Sequence, residues 1–167
     1  MDNKFIHLNK DNLLRLGIKD ENGKDTGEYL EFDLEDIELP LKYQDLLEQE
    51  KKNRQNLKNQ IMIIEKRQDV KGKKLMSKNE EDKIKAINEF YKKEVDVLNG
   101  FLGDRGVEKL LNGRKIGWTA LQEIDELVEK QIRPYLKDNM INIEEKIKNK
   151  YGTIKDTNTI NGDEVDE

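Results

Sequence analysis

The chain's two prolines, Pro40 and Pro134, constrain its fold more than any other feature. Proline locks φ and removes a backbone donor, so a long helix tolerates it only in the first turn or at a kink. Between these two positions apolar side chains recur at helical spacing. Tyr43, Leu46, Leu47, Leu57, Ile61 and Ile64 predict a helix from about 41 to 69, opened by Pro40. From Glu48 to Asn56 the stripe lapses into "EQEKKNRQN". A helix of this length, on the order of 40 Å at 1.5 Å per residue, with a polar middle, reads as an exposed arm. A basic loop follows, and Ser77 with Glu80 forms the sequence pattern of a capping box. The second helix then carries Ile84, Ile87, Phe90, Tyr91, Val95 and Leu98, ends near Gly100 or Gly103, and can fold back antiparallel on the first.

"LLNGRKIGWTALQEIDEL", residues 110–127, reads as helix, turn, helix. Asp104 is the expected N-cap of the short first helix and Gly113 its C′ glycine. Thr119 and Gln122 suggest a second capping box. The last helix is expected to run to about Tyr151, with Leu121, Ile124, Val128, Ile132, Tyr135, Leu136, Ile143 and Ile147 on its buried side. Pro134 should kink or split it near Arg133. Gly113, Gly117, Trp118 and Leu121 are read as a structural corner, with Trp118 plugging the helix junction.

Residues 13–34 carry the one β signature. "LLRLGIK" and "EYLEFDL" flank "DENGKDTG", whose Gly23 and Gly27 supply turn conformations. Leu30, Phe32 and Leu34 alternate with Tyr29, Glu31 and Asp33, so one face is apolar. The chain therefore divides into an N-terminal extension (1–12), a β-hairpin with an acidic connector (13–40), a helical domain (41–151) and a disordered acidic tail (152–167). The fold class is mainly α: long amphipathic helices in a helical hairpin or bundle, with a small N-terminal β-hairpin.

Composition agrees with that class. Charged residues make up 40% of the chain and hydrophobic ones 34%, against a usual balance of about 25% and 45–50%. Such a chain cannot enclose a large core but can build long helices with wet outer faces. The net charge of −5 hides a polarity: residues 28–50 carry −8 and residues 51–74 carry +7. Opposite blocks suit head-to-tail self-association or a charged partner, although solvated helix faces would read the same way.

Several function classes are disfavoured. The chain has no cysteine and one histidine, His7, so thiolate chemistry and histidine clusters are out. "DENGKD" lacks the ligand series of a calcium loop. No phosphate-binding loop or nucleophile motif occurs, and no enzyme, cofactor or metal site is expected. A DNA-reading helix-turn-helix needs positive charge on its second helix. Here that helix carries Glu123, Asp125, Glu126 and Glu129, so sequence-specific nucleic-acid binding is not expected. The basic run at 51–74 has no aromatic residue for base stacking. No apolar run approaches a membrane span and no signal-peptide pattern opens the chain, so an intracellular, soluble protein is expected.

"EYLEFDLEDIELPLKYQDL" followed by "LLNGRKIGWTALQEIDELVEKQIRPYL" resembles the tail assembly chaperones of siphophages and prophages of low-GC Gram-positive bacteria. The resemblance lies in the pattern and order of parts across roughly residues 13–150. It implies a protein that binds the tape measure protein, keeps its long apolar helices soluble and helps recruit tail tube subunits during assembly. It further implies self-association into a homo-oligomer, and residence in the bacterial host's cytoplasm rather than in the finished virion. That family brings no agreed binding residues. From this chain alone, Tyr29, Leu30, Phe32, Leu57, Ile61 and Ile64 are the expected partner or oligomer contacts, with the last helix packing internally. The competing reading is a helical scaffold or adaptor without chaperone activity.

Overall fold

The computed structural model describes residues 12–152, and in it the chain is mainly helical with a two-stranded antiparallel hairpin at its start. The expected tail from 152 on, and the N-terminal extension up to residue 11, lie outside the described residues apart from Gly152 itself. Strand β1 (Leu13–Lys19) pairs with β2 (Asp25–Asp33), setting Leu14 opposite Phe32, Arg15 opposite Glu31 and Leu16 opposite Leu30. At the turn, the Asp20 carboxylate accepts from the backbone N–H groups of Asn22 and Lys24 at 2.9 and 2.8 Å. Gly23 there takes a φ of 77°, a conformation that favours glycine.

A lone hairpin is marginal in water, and this one is held from one side. Leu30 and Phe32 are buried, while Tyr29 and Glu31 face outward. The Phe32 ring lies 5.6 Å from Phe101, which lies 5.7 Å from Tyr43. Three elements thus meet at one aromatic cluster.

Helix α1 (Leu39–Glu65) has Pro40 in its first turn, where the missing N–H costs no intrahelical bond. Helix α2 (Lys78–Leu102) begins at the expected capping box: the Glu80 N–H donates to Ser77 Oγ at 3.2 Å, and the Ser77 N–H donates to Glu80 Oε2 at 2.7 Å. The helices run antiparallel, as the pairs Asn53–Glu94, Lys83–Glu65 and Arg67–Asp82 require. Helix α1 stops before residue 69 because the connection has its own hydrogen bonds. Asn79 donates from its backbone to Asp69 and from its side chain to the Arg67 carbonyl.

The expected exposed arm is not one. Helix α1 lies along α2, and two residues of its polar middle face inward while most of the others stay exposed: Glu50 is buried and Asn53 bonds Glu94. A polar lapse signals solvent only when nothing across the interface engages it, and here Glu94 accepts from Asn53 and Asp125 pairs with Arg54.

Helix α3 (Gly106–Leu111) starts after Arg105, which adopts a left-handed φ of 54°, so Asp104 is not its N-cap. Helix α4 (Trp118–Leu127) starts from extended Gly117 without a side-chain cap. Thr119 therefore lies inside the helix, and the second capping box does not form. A π-turn (Val128–Ile132) joins α4 to α5 (Arg133–Tyr151), with the Arg133 N–H bonded to the Val128 carbonyl. The split falls where Pro134 predicts it. Leu121, Ile124, Val128, Ile132 and Leu136 are all buried. From Ile124 these positions repeat every four residues, which on a straight helix would drift by about 120° over three steps. The wider π-turn takes up drift and keeps the stripe on the core. Beyond Leu136 helix α5 leaves the body, so Ile147, expected on the buried side, is exposed, as is Tyr135.

Candidate functional site

The most unusual chemistry lies between the helices, where α1, α2 and α4 meet. Glu50 and Asn53 sit one turn apart on the inward face of α1, and Glu94 replaces an apolar residue between Phe90 and Leu98 on α2. Glu94 is 0% exposed and Glu50 7%. Asn53 donates to Glu94 Oε1 at 2.8 Å, and Arg54 reaches Asp125 on α4 at 2.6 Å. Glu94 Oε2 and Glu50 Oε1 find no hydrogen-bond partner.

Burial decides the protonation of this seam. Desolvation, followed by the charge and hydrogen bond of Asp125, pushes the Glu50 carboxyl up to about 8. Desolvation also raises Glu94, outweighing the Asn53 hydrogen bond that favours its ionised form. At about 8, Glu50 holds its proton at neutral pH, because an unpaired buried carboxylate would cost more than a buried acid, and Glu94 is shifted in the same direction. Neutral Glu50 avoids like-charge repulsion with the Asp125 carboxylate, which pairs with Arg54. Beside the seam, the Tyr43 hydroxyl donates to Glu129 Oε2 at 2.6 Å, and Arg133 contacts the same carboxylate. Burial, then that bond, raises Tyr43 to about 12, while the Tyr43 hydrogen bond holds Glu129 below its usual range. A cavity of about 350 Å³ opens here, lined by Tyr43, Leu46, Glu50, Asp125, Val128 and Glu129 among others. Among the described residues no three carboxylates or histidines are grouped to hold a metal ion.

The residues expected as partner contacts separate. Leu30, Phe32 and Ile64 are buried in the chain's own interior. In this fold they are not surface contacts, because the hairpin and α1 have already spent those faces on the helices. Leu57 and Ile61 are half-buried along α1. Tyr29 does face outward, and the Arg15 guanidinium stacks on its ring 4.2 Å from the centroid.

The corner also needs correction. Gly113 does take positive φ, at 83°, directly after Asn112 at 46°. Leu121 is buried, but Trp118 is 52% exposed and plugs nothing. Its ring stands in the first turn of α4, at a shallow depression shared with Arg54 and Gln122. Leu121, three residues on, fills the junction. The carboxylates of this helix are engaged by the protein's own cations: Glu123 by Arg114 at 3.2 Å, Asp125 by Arg54, and Glu126 by Lys130 at 3.0 Å.

The inward-facing carboxylates were missed by periodicity, which classes Glu50 with solvent. One signal was available. Glu94 occupies the position between Phe90 and Leu98 at i+4 spacing, and a charge inside an apolar stripe implies a partner across the interface.

Two of the apolar surfaces left exposed among the described residues stand out. One is the outer half of α5, where Met140, Ile141, Ile147 and Tyr151 are exposed. The other is the connection between α1 and α2, where Val70, Leu75 and Met76 are exposed. No helix among the described residues is long and apolar enough to cross a membrane. No protein-family model matches the chain, and neither the curated proteins nor the solved structures give a match to it.

Proposed function

We propose that this protein is a tail assembly chaperone of a siphophage or prophage. It binds the tape measure protein in the host cytoplasm, keeps it soluble, helps recruit tail tube subunits, and leaves before the virion is complete. The support is the order of parts over residues 13–150 and one structural observation: the outer half of α5. There Met140, Ile143, Ile147 and Tyr151 follow one another at steps of three and four residues, a stripe that helical geometry puts on one face. Of these, Ile143 is half-buried and the other three are exposed. An apolar stripe on an otherwise highly charged helix suits an amphipathic helical client, whose own apolar face needs cover until assembly.

Co-expression with a tape measure protein tests this reading. The wild-type chain should raise the soluble fraction of the tape measure protein. Met140→Lys with Ile147→Lys should abolish that effect while the variant keeps its own melting temperature. A wild-type chain that leaves the tape measure protein insoluble refutes the chaperone reading. A fully active double variant refutes α5 as the client surface.

A further inference from the structure

The α1–α2 hairpin separates charge between its ends. At its tip, the connection from α1 to α2 presents Lys71, Lys73 and Lys74 beside exposed Val70, Leu75 and Met76. Leu75 is 91% exposed, although its loop is tied down on both sides. Val70 O accepts from the Lys78 N–H at 3.2 Å, and Asp69 and Arg67 are bonded to Asn79. The loop is therefore built to hold an apolar side chain out in water among cations. At the opposite end, the start of α1 is mainly acidic, its one cation, Lys42, being paired with Asp36 at 2.7 Å. Glu38, Leu41, Asp45 and Glu48 follow at steps of three and four residues and are all exposed, next to exposed Ile37.

These ends cannot meet within one molecule, because α1 separates them by about 40 Å at 1.5 Å per residue. None of the three lysines and three acids makes an ion pair among the described residues. The chain carries −5 overall, so with +7 in residues 51–74 the remainder carries −12. The basic end is thus attracted to the rest of any second copy, and the acidic start of α1 also offers apolar residues to receive Leu75.

We infer that the α1–α2 connection docks on the acidic first turns of α1 in a second copy of this chain, head to tail. Leu75 enters beside Leu41, and Lys71, Lys73 and Lys74 face Glu38, Asp45 and Glu48. Such a contact uses two different surfaces and leaves one of each free, so it propagates to rings or filaments rather than stopping at a dimer. It neither uses α5 nor depends on the chaperone reading.

Sedimentation velocity on the full chain, with cross-linking, tests the inference. Wild type should form oligomers that grow with concentration and dissociate as salt screens the charges. K71E/K73E/K74E and E38K/D45K/E48K should each associate more than about tenfold more weakly alone, since like charges then face each other. Both sets of side chains are exposed, and unchanged circular dichroism should confirm the fold. Mixing the two variants should restore association. The chain has no cysteine, so Leu75→Cys and Leu41→Cys can be mixed and oxidised without interference. The 75–41 disulfide should then exceed both homodimers. Dominant 75–75 or 41–41 products overturn the head-to-tail contact, as does a wild type that stays monomeric at tens of micromolar in low salt. If the chain is monomeric but binds anionic vesicles through the three lysines, the tip is a membrane contact and the inference is wrong. Tape measure solubility, scored with the same variants, separates this outcome from the chaperone test.

Discussion

Trp118 and Leu121 lie three residues apart on α4, and their burial is opposite. Spacing alone puts them on one face, and size alone favours the tryptophan as the plug. What differs is depth: Trp118 is in the first turn, where the helix clears its neighbours, and Leu121 is one turn further in. Trp118→Ala should therefore change unfolding free energy by less than about 1 kcal/mol, whereas Leu121→Ala should cost about 2–5 kcal/mol. Urea denaturation of both variants measures the contrast. A costly Trp118→Ala would mean that the ring is covered in solution.

Glu50 supports a prediction of another kind. Its folded-state pKa, about 8, lies above the ordinary carboxyl value of 4.5. Between these values the unfolded chain has released a proton that the folded chain retains. Stability from this group is therefore full below about pH 4.5 and falls as pH rises towards 8, at about 1.4 kcal/mol per pH unit. Glu94 is raised by burial too and acts in the same direction. Glu50→Gln keeps the shape and polarity of the protonated side chain and cannot ionise. It should raise the melting temperature at pH 8, leave it nearly unchanged near pH 4, and flatten the profile between. A variant with the wild-type pH profile would show that Glu50 is ionised or solvated in the folded protein.

Among the elements, α3 depends on a glycine that no sequence pattern marked. A Cβ on Gly106 would lie 2.5 Å from the Leu102 Cβ, and Leu30 Cδ2 is 3.6 Å away. The short helix can approach α2 and the hairpin this closely only without a side chain at that position. Gly106→Ala should destabilise the fold by about 1–3 kcal/mol, the usual cost of overpacking. Gly100→Ala, inside α2 with no atom within 4 Å of the added Cβ, should be neutral or stabilising by up to about 1 kcal/mol. Thermal denaturation of the pair separates close approach from helix propensity. Equal effects would dismiss the packing argument.

Element boundaries were legible where local chemistry set them. The Ser77–Glu80 box, Pro40 in the first turn of α1, the break at Arg133 before Pro134 and the hairpin turn all satisfy nearby backbone groups, so a few residues suffice to predict them. The Thr119–Gln122 box and the Asp104 cap have the same local credentials and do not form. There the packing of α3 against α2, and the course of the Gly113–Gly117 connection, dictate where each helix begins.

At the scale of the whole molecule, the core is one continuous cluster joining the hairpin, α1, α2, α3 and the α4–π-turn–α5 stripe as far as Leu136. Outside it stand the distal half of α5 and the α1–α2 connection, which carry the two proposed interactions at separate places. Their separation lets client binding and self-association be lost independently. The helical class, the order of elements, the hairpin and the charge polarity all follow from the amino-acid order, because spacing, caps, proline and net charge act over a few residues. Which face of α1 is inside, whether Trp118 is covered, where α5 leaves the core and how burial shifts Glu50 and Glu94 all depend on residues far away in the chain. Burial is a property of what lies across an interface, and the local sequence does not contain it.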